Sequence, residues 1–585
     1  MGIPTYFLHI VRKNRDIIKK ISQFKDHANT TIKNGPTQFN NMYLDCNSII
    51  YDIVHEKGQT YTNTNTCKLK YEKEIIEAVC EKIEFYINLI NPTHRVLIAF
   101  DGVAPSAKIK QQKKRRFLNV IHDKLITELC NDSNNANNAN NANNANTNNT
   151  NNTTTWNTAA ITPGTTFMDM LSKGMHDYFN IKKNQFYQDK KLNIMISTPN
   201  DAGEGEHKIY EYIRNNKKYH DDCTSTIIYG LDADLIMLTL NHLYISKNLY
   251  LFRETPHFIQ TVDKTLDPNS IYVIDIPLFA EIITKEMGYI ANANNPLSTD
   301  LQEQPQENTI KNNKLFDYIF ICFLLGNDFM PHFPALNIRT NGIDKLLNSY
   351  KHVFNNNDKN NETLTAKNKD GKIIINWKNF RKYIDVLGTS EHEWIKQEYK
   401  LRDKQEKQIS NNQHNSNQHK KNENENDKRK QLEFDILNLP MRDRSIEKFI
   451  NPFDHDWEYR YYNSLFQIRI NDNYRKEICI NYLEGLEWTM NYYSGDCIDW
   501  RWTYKYNYPP LLCDLKQYVP YFNTHLLSNK EKNPISAQEQ LNHVLPEDLK
   551  NSLINNYIKV NNNNELSHYS IKWAFCKYIW EGHLE

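Results

Sequence analysis

Five short apolar runs recur along the first half of the chain: "NMYLD" (41–45), "RVLIAFD" (95–101), "NIMIS" (193–197), "TIIYGLD" (226–232) and "IYVIDI" (271–276). Each has the length of a strand and almost no polar alternation, the pattern of strands covered on both faces. Between them lie helix-length stretches: "YEKEIIEAVCEKIEFYINLI" (71–90), "TFMDMLSKGMHDYF" (166–179), "EGEHKIYEYIRNN" (204–216) and, further on, "KLFDYIFICFLLGND" (314–328). Strands alternating with helices predict an α/β domain over 1–345, with a mostly parallel central sheet flanked by helices.

That geometry gives meaning to where the acids stand. Asp45 and Asp101 each end a strand run, Asp232 and Asp234 follow "TIIYG", Glu204 and Glu206 lie just beyond "NIMIS", and Asp328 ends "FICFLLGND". In an open parallel sheet the carboxyl ends of the strands form the ligand crevice, so the seven acids are expected to converge. Taken singly, each could equally cap a helix or sit in a turn, and Glu204 and Glu206 suit the positive end of a helix dipole. Together they would repel one another strongly unless cations neutralised them. Oxygen ligands without a Cys or His pattern favour Mg²⁺, or Mn²⁺ in its place, over zinc. Two such ions about 4 Å apart would serve phosphodiester hydrolysis.

A basic helix is predicted directly after Asp101, in "DGVAPSAKIKQQKKRRF". At helical spacing Lys108, Gln112, Arg115 and Arg116 share one arc, which could form a pocket for a terminal phosphate or simply a solvated basic face. Far downstream, "LEGLEWTMNYYSGDCIDWRWTYKYNYPPLLC" (483–513) gathers Trp488, Trp500, Trp502 and several tyrosines around Arg501 and Lys505. Most of these rings suit a core, and one or two could stack on bases of a single strand.

The formal net charge of +1 shows no global positive field, so nucleic-acid binding would depend on such local patches. Ten scattered cysteines with no CxxC pair argue for reduced thiols and against a zinc ribbon. With no secretory h-region and no run of about 18 apolar residues, the chain is expected to be intracellular, without a membrane span. An Asn-rich insert over 131–160, repeating Asn-Asn-Ala, has little to bury and reads as disordered. Weaker polar stretches at 292–313 and 355–371 read as loops. A helical connection is expected over 346–402, a low-complexity linker over 403–431, and a second, Trp/Tyr-rich region over 432–585.

In order along the chain, "MGIPTYF", "YLDCNSIIYDIVH", "AFDGVAPSAKIKQQKKRRF", "TPGTTFMDML", "GEGEHKIYEYIR", "YGLDADLIMLTL" and "FLLGNDFMPHFPAL" resemble the XRN family of 5′→3′ exoribonucleases. The resemblance resumes with "WEYRYY", "EGLEWTMNYYSGDCIDWRWTYKYNYPP" and "AQEQLNHVLPEDL". It implies a nuclease core like that of PIN and flap-endonuclease proteins, with a mainly helical, aromatic-rich C-terminal region packed on it and completing the active-site channel. It also implies processive hydrolysis of 5′-monophosphorylated single-stranded RNA to mononucleotides, with two Mg²⁺ ions. By motif position Asp45, Asp101, Glu204, Glu206, Asp232, Asp234 and Asp328 would hold metal. Lys108, Gln112, Arg115 and Arg116 would hold the 5′-phosphate, and Tyr51, Trp500 and Trp502 would stack on bases.

Two positions depart from the pattern: Tyr51 stands where the family usually has histidine, and Ser48 where glycine is common. A compact monomer is expected, lacking the long C-terminal modules and the zinc knuckle of other members, with cytoplasm favoured over nucleus. The rival readings are a flap-endonuclease-like DNA nuclease and a non-catalytic RNA-binding scaffold. "GNDFMPHFPALNIRTNGIDKLL" lacks the Gly-paired hairpin of the first, and all seven acids argue against the second.

Overall fold

The computed structural model describes the chain except residues 1, 4, 22–37, 59, 63–64, 139–152, 183–191, 255–263, 265, 268–269, 290–304, 356–361, 419–424, 470, 528–529, 547–549, 551–570 and 585. Among the described residues nine strands organise the first half: β1 (Ile18–Lys20), β2 (Asn41–Asp45), β3 (Thr60–Thr62), β4 (Arg95–Ala99), β5 (Thr153–Thr155), β6 (Asn193–Ser197), β7 (Ser225–Tyr229), β8 (Asn248–Glu254) and β9 (Ile271–Asp275). Seven of them form one sheet in the order β1-β9-β8-β7-β2-β4-β6, while β3 and β5 pair separately. From β8 to β6 every neighbour is parallel, whereas β9 runs antiparallel to both β8 and β1.

The expected apolar runs are all present as strands, and the central β7 is buried at every residue. β8, "NLYLFRE", is not among the runs singled out from sequence: its apolar stretch is only Leu249–Phe252, flanked by Lys247 and Asn248 on one side and Arg253 and Glu254 on the other, yet the structure buries it.

Two apolar clusters cover the two faces of the sheet. One joins the N-terminal helix Tyr6–Lys13, the helices Gly205–Asn215, Asp234–His242 and Pro305–Cys322, and reaches Trp377, Leu483, Trp488, Tyr492 and Leu512 of the second half. The other packs Asn47–Lys57, Asn65–Ile90 and Thr166–Lys182, and takes in Ile535, Leu541 and Val544 from near the C-terminus. The C-terminal half, mainly helical, therefore contributes to both cores.

Helices also cross the boundaries expected from composition. The helix Ser106–Asn138 continues into the Asn-rich insert, and most of the remaining repeat lies outside the described residues. The helix Trp377–Gln418 runs through position 403, so the segment read as a linker begins as helix, because Gln, Glu and Lys are good helix formers. Among the described residues no helix is long and apolar enough to cross a membrane.

Candidate active site

The carboxyl ends of β2, β4, β6 and β7 point to one place, and the acids follow them there. Asp45 closes β2, and the Cys46 N–H then donates to the Ala99 carbonyl at the end of β4, at 2.9 Å. Asp101, two residues past β4, is held from both sides. It accepts the Gly205 N–H on Oδ1 at 2.7 Å and the Asn47 side-chain amide on Oδ2 at 2.7 Å, while its own N–H donates to Asn47 Oδ1 at 3.0 Å. Asn47 and Gly205 each open a helix, so Asp101 bridges two helix starts where backbone donors are free.

Glu204 stands at the N-cap position of Gly205–Asn215, but its side chain makes no cap hydrogen bond. Its Oε2 meets Lys108 Nζ at 2.5 Å and its Oε1 accepts the Tyr492 O–H at 2.9 Å. The glutamate therefore starts the helix with its backbone and turns its carboxylate inward. Gly205 between the two glutamates is not in the left-handed region, so no unusual backbone angle calls for glycine there. It is needed for space: a Cβ there would sit 2.5 Å from Asp45 Oδ1. Lys208, one turn on, anchors the helix by donating to the carbonyls of Phe100 and Thr198 at 2.7 and 2.8 Å.

Lys108 is the hub. Its ammonium also contacts Asp328 Oδ2 at 2.7 Å, and Asn327 fixes that loop by accepting the N–H groups of Phe329 and Met330. Burial would lower the Lys108 pKa, but Asp328, Glu204, Glu206 and Asp234 outweigh it and hold it well above the ordinary value. Burial, then the neighbouring charges of Asp101, Asp232 and Glu204, pushes Asp45 well up. Glu206 is pushed up by burial and then by Asp234 and Glu204. Burial likewise raises Asp234 to about 7. All seven sequence-identified acids thus lie within one another's field.

The donor chemistry fits a hard divalent cation. Asp45 Oδ1 and Glu206 Oε2 are buried with no hydrogen-bond partner among the described residues. Ligand atoms of Glu204, Glu206 and His207 lie within 4.8 Å of one another. Buried carboxylate oxygens left without donors are costly unless a positive charge completes them.

Of the four residues assigned to a phosphate pocket, Lys108 sits among the acids and Arg115 is exposed. Gln112 lies 3.5 Å from Gln540 Nε2, and Arg116 donates to Thr162 Oγ1 at 2.5 Å. Burial brings the Arg116 pKa down to about 10, with the Tyr51 phenol close enough to oppose that shift. Tyr51 itself is 37% exposed, and Trp500 is half-buried. Trp500 lies against the foot of the basic helix, where its carbonyl accepts the Ser106 N–H at 2.9 Å.

Trp502 is placed elsewhere than on an open stacking face. Its ring is buried against Trp488, with centroids 5.2 Å apart, at the end of a stack that continues through Tyr492 to His207. A large flat ring beside Gly485 completes core packing there, which removes Trp502 from the residues open to a base.

Asn47, Tyr492 and His207 are the residues that sequence reasoning missed. Asn47 could have been noticed as a polar side chain opening the helix after Asp45. His207 directly follows Glu206 in a run read only for its acids. Tyr492 is 288 residues from its partner Glu204, and nothing local announces the pairing.

The family model described as the XRN 5′-3′ exonuclease N-terminus matches residues 1–255, and that described as the Xrn1 helical domain matches 310–450 and 437–570. The chain is 26% identical to the 5′-3′ exoribonuclease 2 homolog of Drosophila melanogaster, covering 93% of this chain and 64% of that protein. It is also 26% identical to 5′-3′ exoribonuclease 2 of Gallus gallus over 100% of this chain and 68% of that protein. With 5′-3′ exoribonuclease 1 of Saccharomyces cerevisiae the identity is 25%, over 94% of this chain and 39% of the relative. The chain thus spans between about two fifths and two thirds of these relatives' length. Matched over residues 1–255 and 310–570, the chain belongs to the XRN 5′-3′ exonuclease family.

Proposed function

We propose that the chain is a 5′→3′ exoribonuclease that degrades single-stranded RNA bearing a 5′-monophosphate, processively, to mononucleotides. The observation that carries this reading is the meeting of seven carboxylates around Lys108 at the foot of the basic helix Ser106–Asn138. A pair of Mg²⁺ ions, or Mn²⁺ in their place, would supply the activated water and stabilise the leaving oxygen. Asp45, Asp101, Glu204, Glu206, Asp232, Asp234 and Asp328 are the residues that would hold them.

The remaining residues bind and aim the strand. Lys108 belongs to both the acidic cluster and the basic helix. With metal bound, its ammonium is free to turn from Glu204 and Asp328 toward the phosphate that Gln112, Arg115 and Arg116 would hold. The half-buried guanidinium of Arg116, already oriented by Thr162, suits a bidentate grip on a terminal phosphate. Tyr51 and Trp500 flank this helix and offer faces for the leading base.

One assay discriminates the readings. The same RNA is presented with 5′-monophosphate, 5′-hydroxyl, triphosphate and capped ends, beside matching DNA, in Mg²⁺. Preferential loss of the monophosphorylated RNA is expected. Equal digestion of all ends would eliminate the pocket as a gate, and digestion of DNA alone would favour the flap-endonuclease reading. In the same assay Glu206→Gln and Asp232→Asn are expected to reduce cleavage to background while RNA binding, measured by filter retention, stays near wild type.

A further inference from the structure

We infer that Tyr492 is a positioning residue that orients Glu204 toward the cation held by the acidic cluster. The inference rests on that cluster being a metal site. Glu204 reaches the cluster from a helix start whose side-chain torsions nothing on its own element restrains, since it makes no cap hydrogen bond. Its two oxygens are separated in function by their partners. Oε1 accepts the phenol O–H of Tyr492 at 2.9 Å, and Oε2 faces the centre, where Lys108 stands.

Tyr492 is itself fixed to a degree that a merely satisfied buried hydroxyl does not require. Its ring stacks on His207 at 3.7 Å and on Trp488 at 4.9 Å, and Phe329 packs edge-on against both Tyr492 and Trp488. Trp488 is pinned in turn by its indole N–H, which donates to the Asp499 carbonyl at 2.8 Å. The neighbours of two further site residues belong to the same assembly, because Phe329 follows Asp328 and His207 follows Glu206. The helix Asp472–Ser494 therefore lends the cluster a rigid hydroxyl donor from the far half of the chain. A carboxylate with one oxygen held this way presents the other in a single orientation, which lowers the cost of ordering it when metal binds.

Tyr492→Phe removes the O–H and leaves the ring stack intact. Mn²⁺ titrated calorimetrically into the full chain without RNA should bind about tenfold more weakly in the variant. The Mg²⁺ concentration for half-maximal cleavage should move in parallel, with KM for RNA at saturating Mg²⁺ unchanged and the melting temperature in EDTA unchanged. In a Glu204→Gln background the tyrosine substitution should add nothing to the loss of Mn²⁺ affinity, because the two groups act as one unit. Unchanged Mn²⁺ affinity in Tyr492→Phe, or a full additive loss in the double variant, would overturn the inference. A lowered melting temperature in EDTA with Mn²⁺ affinity intact would show a structural role and overturn it as well. If the wild-type chain binds Mn²⁺ but leaves RNA uncut, the exoribonuclease reading fails while the Mn²⁺ titration still decides the role of Tyr492.

Discussion

At the scale of single residues, Gly205 separates what helix formation wants from what the site wants. Alanine is the better helix former by about 1 kcal/mol, so Gly205→Ala should leave the Gly205–Asn215 helix as stable or more so. Yet the added Cβ would stand 2.5 Å from Asp45 Oδ1, so the Asp45 carboxylate would have to turn and lose its aim. The expected outcome is a melting temperature at or above wild type with cleavage reduced about a hundredfold, read by single-turnover kinetics beside thermal denaturation. The "GEGE" stretch shows how far sequence reaches at this scale. The paired glutamates mark the site because strand-end acids follow from the periodicity of the runs before them. The reason for the glycine is not legible, because it depends on a carboxylate 160 residues away. Lys108 is a similar case: its helical arc with Arg115 and Arg116 is readable, but its ammonium lies between Glu204 and Asp328 because the helix starts directly under the sheet's edge.

At the scale of elements, five strands were readable as apolar runs, but burial alone did not suffice: β8 is buried over Leu249–Arg253, yet its apolar stretch of four residues is crowded by polar and charged neighbours at both ends. Contacts that terminate helices from a distance left no trace in sequence. Glu391, on the long Trp377–Gln418 helix, accepts the N–H groups of Leu512 and Cys513 at 2.7 and 3.0 Å, and so caps the helix Leu512–Tyr518 across 121 residues. Burial raises its pKa to about 7, against the opposing pull of those two donors. A carboxyl whose folded value lies above its unfolded one stabilises fully below the unfolded value, near 4.5, and loses that contribution as pH rises through about 7. Glu391→Gln removes the titrating group. The fall in wild-type melting temperature between about pH 5 and 8 should therefore be shallower in the variant. At pH 5, where Glu391 is largely protonated, wild type should be the more stable of the two. Differential scanning fluorimetry across that range tests both statements, and a steeper slope in the variant would contradict the assignment.

At the scale of the molecule, composition suggested modules separated by a linker, but the burial pattern joins them. Trp377, Leu483, Trp488 and Leu512 complete the core on one face of the sheet, and Ile535, Leu541 and Val544 that on the other. The resemblance implied this packing but composition alone did not, because polar, helix-forming sequence between two regions reports only what is solvated, not which apolar surfaces meet. The far end of the chain is fastened by charge. Glu447, 1% exposed, accepts two bonds from Arg402 at 2.9 and 2.7 Å, one from Arg444 at 2.7 Å, and the Phe575 N–H at 2.9 Å. One carboxylate thus ties the long helix, the helix Ser445–Ile450 and the terminal segment together. Glu447→Gln leaves Arg402 without its buried counter-charge and should cost about 3–5 kcal/mol. In a chain of this size that amounts to a fall of only about 2–5 °C in melting temperature. Because both halves share their cores, calorimetry should show one transition in wild type and one, shifted, in the variant. If the terminal half instead melted alone in Glu447→Gln, leaving the nuclease half folded, the sheet's two faces would have to be stable without the residues that cover them.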